Sequence, residues 1–289
     1  MTLYRLDELS SAELQARLAV NPTVILPFGT IEWHSYHLPI GLDNLVAQNL
    51  SEQIANQLGG VLAPLTSWAV GGVAYPHTIR FDLTLIETLV GHIFEQMSLL
   101  GFRTILALTG HFGLEQTLAL KRAAFQMMRR SPITIWAGGE FEPVTDLGYI
   151  GDHAAKWETA LLYAIRPDLV HIKAVPDGVK LDGILGEDPR TAPYQELSSP
   201  VYTAILERWI GLGQRLAAHN MIARDQYIEA LGTGVRILEK TAAERSTKAK
   251  SQVPSLNTPH YLEYLSSLAV GDYKSAQNAA EAKLLDLAG

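Results

Sequence analysis

Glu32, His34, His37 and Asp43 place two carboxylates and two imidazoles within twelve residues, directly after an apolar run over residues 23–27. These are the donors of a metal centre. Glu32 and His34 are two apart, so in an extended chain both side chains leave the same face. Asp43 follows a turn containing Pro39 and Gly41 and opens the next helical pattern, where a carboxylate can cap the helix and reach back toward Glu32 and His34. One carboxylate has two oxygens and can bridge two cations. Carboxylate and imidazole donors without thiolate suit Zn, Mn or Fe rather than Ca or a structural zinc knot. Such a cation brings the pKa of bound water toward neutrality and polarises a carbonyl, so the chemistry expected is hydrolysis through a metal-bound hydroxide.

The elements that must hold these residues alternate. Residues 23–27 read as a buried strand, 43–57 as a helix with Leu45, Val46, Leu50, Ile54 and Leu58 along one face, and 61–65 as a second strand. A long loop over 67–80 leads into a helix at 83–100. A third strand at 104–108 runs straight into Thr109-Gly110-His111-Phe112-Gly113, followed by a helix at 114–130 and a fourth strand at 133–136. Strands and helices alternating with short glycine-marked joints imply parallel βαβ units with helices on both faces. Ligands collect at the carboxyl ends of such strands. Glu32 and His34 follow the first strand and His111 the third, so all three are expected at one edge.

From Asp152 to Ile165 a helix is expected, ended by Arg166-Pro167. His153 and Glu158 are five apart, which puts them on different helix faces, so they serve one site only if His153 precedes the regular helix. Residues 175–199 are rich in Gly and Pro and read as a surface excursion. Helices are expected at about 201–219 and 259–287, and the charged stretch 239–251 as a linker between them.

The net charge of −7 and the scarcity of Lys/Arg clusters argue against nucleic acid as partner. A small-molecule substrate is expected instead. With no cysteine, disulfides, thiolate ligands and cysteine nucleophiles are excluded. No apolar run has the length of a membrane span, and the first residues lack the pattern of a signal peptide, so a cytoplasmic location is expected.

Taken singly, a histidine after a strand is more often a hydrogen-bonded loop residue than a ligand, and most aromatic residues are core. The combination is more specific. Residues 26–43 resemble the first metal motif of the creatininase (creatinine amidohydrolase) family. Gly110-His111-Phe112-Gly113 is similar to its Gly-His-Gly-Gly, and residues 153–170, with Glu158-Thr159 and Arg166-Pro167-Asp168, resemble its third motif. The resemblance covers roughly residues 24–189.

The resemblance implies a three-layer α/β/α fold with a mostly parallel central sheet, plus a C-terminal helical extension that it does not cover. Residues 1–238 would form the metal hydrolase domain, and 239–289 the linker and extension. The implied metal ligands are Glu32, His34, Asp43, His111 and Glu158, holding two divalent ions (Zn, Mn or Fe) per subunit with Asp43 between them. His153, with Glu158, is the implied catalytic residue and would carry the proton to the leaving nitrogen. Hydrolysis of a small cyclic amide and a homo-oligomer, often a hexamer, are implied as well. Trp68, Tyr75, Arg80, Phe112, Tyr149 and Asp152 are expected to line the substrate.

The chain departs from the family pattern at Thr30, Trp33, Ser35 and Thr109, and at Gly113, where creatininase proper has a glutamate. These changes set creatinine itself apart from the expected substrate and leave a mononuclear site open. Cleavage of a C–C or lactone bond in a cyclic polyol or ketone stays open too, as does a metal-retaining protein without turnover. A Rossmann-type dehydrogenase is disfavoured, since no Gly-x-Gly-x-x-Gly follows a strand. The apolar stripe of Tyr261, Leu262, Tyr264, Leu265 and Leu268 is expected to be buried, either on its own domain or, by preference, on a neighbouring subunit.

Overall fold

The strands β2 (Thr23–Phe28), β4 (Thr104–Thr109) and β5 (Thr134–Gly139) are buried at every position. Runs such as TVILPF and TILALT, apolar nearly throughout, suit strands covered by helices on both faces. The computed structural model describes residues 3–74, 76–178, 182–218, 220–247 and 256–287. Among them, the short strands β1 (Tyr4–Arg5) and β3 (Val61–Leu62) complete a parallel sheet in the order β1-β3-β2-β4-β5. Val24 stands opposite Ile105 and Phe28 opposite Thr109. β3 stops short of the expected 61–65, just before Pro64, which has no N–H to continue a ladder.

Helix α1 (Ser11–Val20) opens on a reciprocal cap between Ser10 and Glu13. α2 (Leu42–Leu58), α3 (Leu83–Leu100) and α4 (Leu114–Arg130) fall where the apolar spacing put them. From β2 the chain crosses one way to β3, then back over β2 to β4. Right-handed crossovers therefore set α2 on one face and α3 and α4 on the other. α5 (Lys156–Ile165) and α6 (Tyr194–Ala217) pack beside α2, and α7 (Met221–Thr247) beside α4. The three layers match the expected architecture. Because the chain leaves β2 and β4 toward opposite faces, the crevice between their carboxyl ends is a topological switch point.

The C-terminal region differs from expectation. The stretch 239–251, read as a linker, is helical as far as Thr247, with Thr241 buried; residues 248–251 lie outside the described residues, as does His219. The reason is β5, the edge strand of the sheet, which α6 and α7 cover. Trp209 of α6 and Tyr227 of α7 pack on Trp136, with ring centroids 6.3 and 5.9 Å away. The Tyr227 hydroxyl donates to the Ile135 carbonyl at 2.9 Å, and Arg224 donates to the carbonyls of Met128 and Ser131, both at 2.6 Å. Charge along the later part of α7 marks its wet side.

The expected helix at 259–287 is two helices, α8 (Pro259–Val270) and α9 (Tyr273–Asp286), parted at Gly271, where φ is 86°. Both fold onto their own chain. Tyr261, Tyr264, Leu265 and Leu268 are buried within the single subunit, so the stripe expected to seek a neighbour is covered in cis. Gly234 of α7 leaves the space that the Tyr264 ring fills, since a Cβ there would collide with it. Thr145 Oγ1 donates to the Leu262 carbonyl at 2.8 Å.

Candidate metal centre

At the β2–β4 crevice, three overlapping sets of donors meet, one of them Glu32, His34 and His153. Glu32, Asp43 and His111 form one trio and His34, Asp43 and Glu158 another, with the donor atoms in each within 4.8 Å of one another. Asp43 belongs to both: Oδ1 lies 3.2 Å from His34 Nε2, and Oδ2 lies 3.5 Å from His111 Nδ1. His111 Nδ1 is 2.7 Å from Glu32 Oε2, and His34 Nε2 is 3.5 Å from Glu158 Oε2. All five side chains are buried. Asp43 sits in the first turn of α2, yet its side chain does not cap the helix as expected; the helix terminus still favours its charge. Gly110 lets this turn approach β4, for any Cβ there would run into the Asp43 carbonyl.

The outer nitrogens of the histidines show what the inner ones can do. His34 Nδ1 faces the Glu32 carbonyl at 3.0 Å, His111 Nε2 the Val70 carbonyl at 3.1 Å, and His153 Nε2 the Trp33 carbonyl at 3.0 Å. A carbonyl can only accept, so each of these nitrogens carries a proton, and in the neutral ring the other presents a lone pair to the carboxylates. Both Asp43 oxygens, Glu32 Oε2 and His34 Nε2 are buried with no hydrogen-bond partner. Buried lone pairs that converge in this way need cations between them, so the residues fit a divalent metal pair.

In the metal-free protein, protons take that place. Burial pushes His34 down, but the Asp43 and Glu158 carboxylates outweigh it and raise its pKa to about 10. His111 is likewise raised against burial by Asp43 and Glu32, while Asp43 is lowered against burial by the two imidazoles. Burial raises Glu158. Groups with raised pKa values hold their protons at neutral pH, so metal uptake must release them. Calorimetry in buffers of different ionisation enthalpy is expected to show proton release at pH 7 and an apparent affinity that rises with pH toward about 10. Uptake with no proton exchanged would contradict this electrostatic picture.

The neighbouring backbone completes the centre, and side-chain spacing carried no sign of it. Val73 N–H donates to Glu32 Oε1 at 2.6 Å. Ala154, at φ 49°, turns its N–H onto Glu158 Oε2 at 2.6 Å, and Ser35 has φ 57°. Left-handed conformations at non-glycine residues are uncommon, and here they flank donor residues. Thr109 Oγ1 donates to the His111 carbonyl at 2.6 Å and accepts from its N–H at 3.1 Å, pinning the turn. His37, also read in the motif, is buried behind the centre with Nε2 2.9 Å from Thr159 Oγ1.

α5 begins only at Lys156, so His153 precedes it and joins Glu158 at one site. Its Nδ1 is 3.7 Å from Glu32 Oε1, and its ring centre 4.5 Å from that of His34. Burial, helped by His34, lowers its pKa to about 4. Asp152 accepts from the Trp157 and Glu158 N–H groups at 2.7 and 3.0 Å, holding the start of α5.

A cavity of about 790 Å³ opens over the donors and is lined by Arg80, Phe112, Asp152 and His153 among others. Of the expected substrate residues, Trp68 and Tyr149 are not in its wall. Trp68 packs edge-on against Phe81, and Tyr149 is buried because its hydroxyl donates to Glu140 Oε1 at 2.9 Å. Tyr75 lies outside the described residues. The segments 67–80 and 149–152, expected to wall the substrate, contribute Val70 and Ile150, whereas sequence reading missed Phe141 and also Arg245 and Tyr261 from the C-terminal helices. No helix among the described residues is long and apolar enough to cross a membrane.

A family model described as creatininase, creatinine amidohydrolase, matches residues 7–200. The chain is 25% identical over 194 residues to a creatinine amidohydrolase of Pseudomonas putida, spanning 59% of this chain and 75% of that protein. A crystal structure of creatinine amidohydrolase (creatininase) superposes with a TM-score of 0.64 at 19% identity, covering 75% of this chain and 99% of the other. A manganese creatininase gives 0.59 at 20% identity, covering 71% and 95%. At these identities the structural likeness is one of fold.

Proposed function

Because the chain belongs to the creatininase (creatinine amidohydrolase) family, we propose that it hydrolyses a small cyclic amide at a centre of two divalent cations. The observation that carries this reading is Asp43, whose two oxygens each face a different imidazole, His34 and His111. Glu32 and His111 would hold one cation, His34 and Glu158 the other, and Asp43 both; the mixed oxygen and nitrogen donors suit Zn or Mn. Such cations supply Lewis acidity to a carbonyl and bring water's pKa near neutrality. The chain's own residues do the remainder. Val70 and Trp33 carbonyls fix the imidazole orientations, and Phe112 and Phe141, 4.8 Å apart, wall the cavity with apolar surface. His153 would accept a proton at Nδ1 and return it to the leaving nitrogen. Gly113 offers no carboxylate beside His111, so Glu158 serves in the second trio where creatininase proper would have a further glutamate.

The test is a panel of cyclic amides, creatinine among them, lactones and cyclic ketones, offered to metal-stripped protein and to protein reloaded with Mn or Zn. Hydrolysis of a cyclic amide other than creatinine, only after reloading, is expected. Cleavage confined to a lactone or ketone would replace the amide reading, and a loaded protein inert to the whole panel would favour a metal-retaining role.

A further inference from the structure

The family match ends at residue 200, yet the cavity over the metal centre does not. Its wall continues into the last turns of α7, with Arg245 and Ser246, and the start of α8, with Tyr261. Asn257 joins this wall to the opposite side, its Nδ2 donating to the Ile150 carbonyl at 3.4 Å. The C-terminal helices therefore form part of the cavity that the donors open into, and they do so within one chain.

The charge of this outer wall is unbalanced. Arg80 and Arg245 both line it, and among the described residues no ion pair engages either guanidinium. Of the carboxylates on the same cavity, Glu142 is neutralised by Lys121 at 2.6 Å, Glu32 and Glu158 belong to the metal donors, and Asp152 is committed to the α5 N–H groups. That leaves Glu115 at the rim against two arginines. Both arginines are exposed, and a guanidinium presents a planar fork of donors matched to a carboxylate.

We propose that Arg80 and Arg245 form a subsite for a carboxylate carried by the substrate, so that the C-terminal helices set specificity for an anionic cyclic compound. This rests on the hydrolase reading for the reacting end of the cavity, but the subsite is indifferent to which carbonyl is cleaved. A purely structural role for Arg245, offsetting the helix dipole at the end of α7, would affect stability and leave ligand preference untouched.

The experiment is titration calorimetry on the metal-loaded protein with matched neutral and acidic probes: hydantoin and hydantoin-5-acetic acid, γ-butyrolactone and its carboxylic acid, cyclohexanone and 3-oxocyclohexanecarboxylic acid. The wild type is expected to bind the acid of at least one pair roughly 10-fold or more tighter than its neutral partner. Arg80→Gln and Arg245→Gln should each bring that ratio close to one at unchanged metal content, and Arg245→Lys should keep part of it. Equal affinities within every pair, no acid bound at all, or a preference that survives both glutamine variants, as when the acid sits on the metals alone, would overturn the subsite. A preference seen with the lactone or ketone pair and absent from the amide pair would leave the subsite standing and retire the amide reading.

Discussion

Asp43→Ala is expected to empty both metal positions, leaving less than one-tenth of the wild-type metal after reloading and lowering turnover by roughly 10³-fold or more. The reasoning is geometric. Asp43 joins the Glu32–His111 pair to the His34–Glu158 pair, with Oδ1 facing His34 and Oδ2 facing His111. Its loss also leaves the imidazoles without the carboxylate that outweighs their burial, which weakens the site's attraction for any cation. His111→Ala, by contrast, should cost mainly one ion, since His34, Asp43 and Glu158 remain as a complete trio. Elemental analysis of both variants after dialysis checks this. Equal metal in wild type and Asp43→Ala would rule out bridging.

The donors were legible in the sequence because their chemistry is carried by side chains at telling intervals. Glu32 and His34 alternate out of a buried strand, and His111 follows another strand across a Gly-marked turn, so parallel topology alone brings them to one edge. What holds them in place was not legible. The partners of His34, His111 and His153 are the carbonyls of Glu32, Val70 and Trp33, and those of Glu32 and Glu158 are the N–H groups of Val73 and Ala154. Backbone groups have no residue signature, and only the folded chain decides where they point.

The C-terminal misreading has a different cause. Charge over 239–251 suggested a linker, but a long helix laid over an edge strand keeps a charged outer side and buries only the positions facing Trp136 and α4. Tyr227 and Arg224 gave the signal that could have been used: a large aromatic and a cation with no nearby partner in sequence, each of which finds a β5 or α4 carbonyl. Gly271 followed by Asp272, whose side chain accepts from Ser275 N–H at 3.0 Å, likewise marks the break between α8 and α9. Tyr149 misled in the opposite sense. Its hydroxyl pairs with Glu140 deep in the protein, so an aromatic in the right loop faces away from the cavity.

His153→Ala is expected to retain both ions while turnover falls by about 10²-fold or more, the usual scale for a lost general acid or base. Two facts favour retention: the two trios that share Asp43 are complete without His153, and its Nδ1 stands 3.7 Å from Glu32 Oε1, farther than the 2.7 Å between His111 and the other oxygen of the same carboxylate. Burial keeps the ring neutral at pH 7, its pKa lowered to about 4, and the Trp33 carbonyl fixes the proton on Nε2. Nδ1 is thereby left as a lone pair on the cavity wall, free to take a proton beside the metal donors. Because the neutral form is the active base, turnover should be lost as pH falls through the ring's pKa and should not require alkaline conditions to appear. The variant should lose that acid limb along with most of its rate. Metal lost together with activity would make His153 a ligand, and a rate equal to wild type would remove it from the reaction.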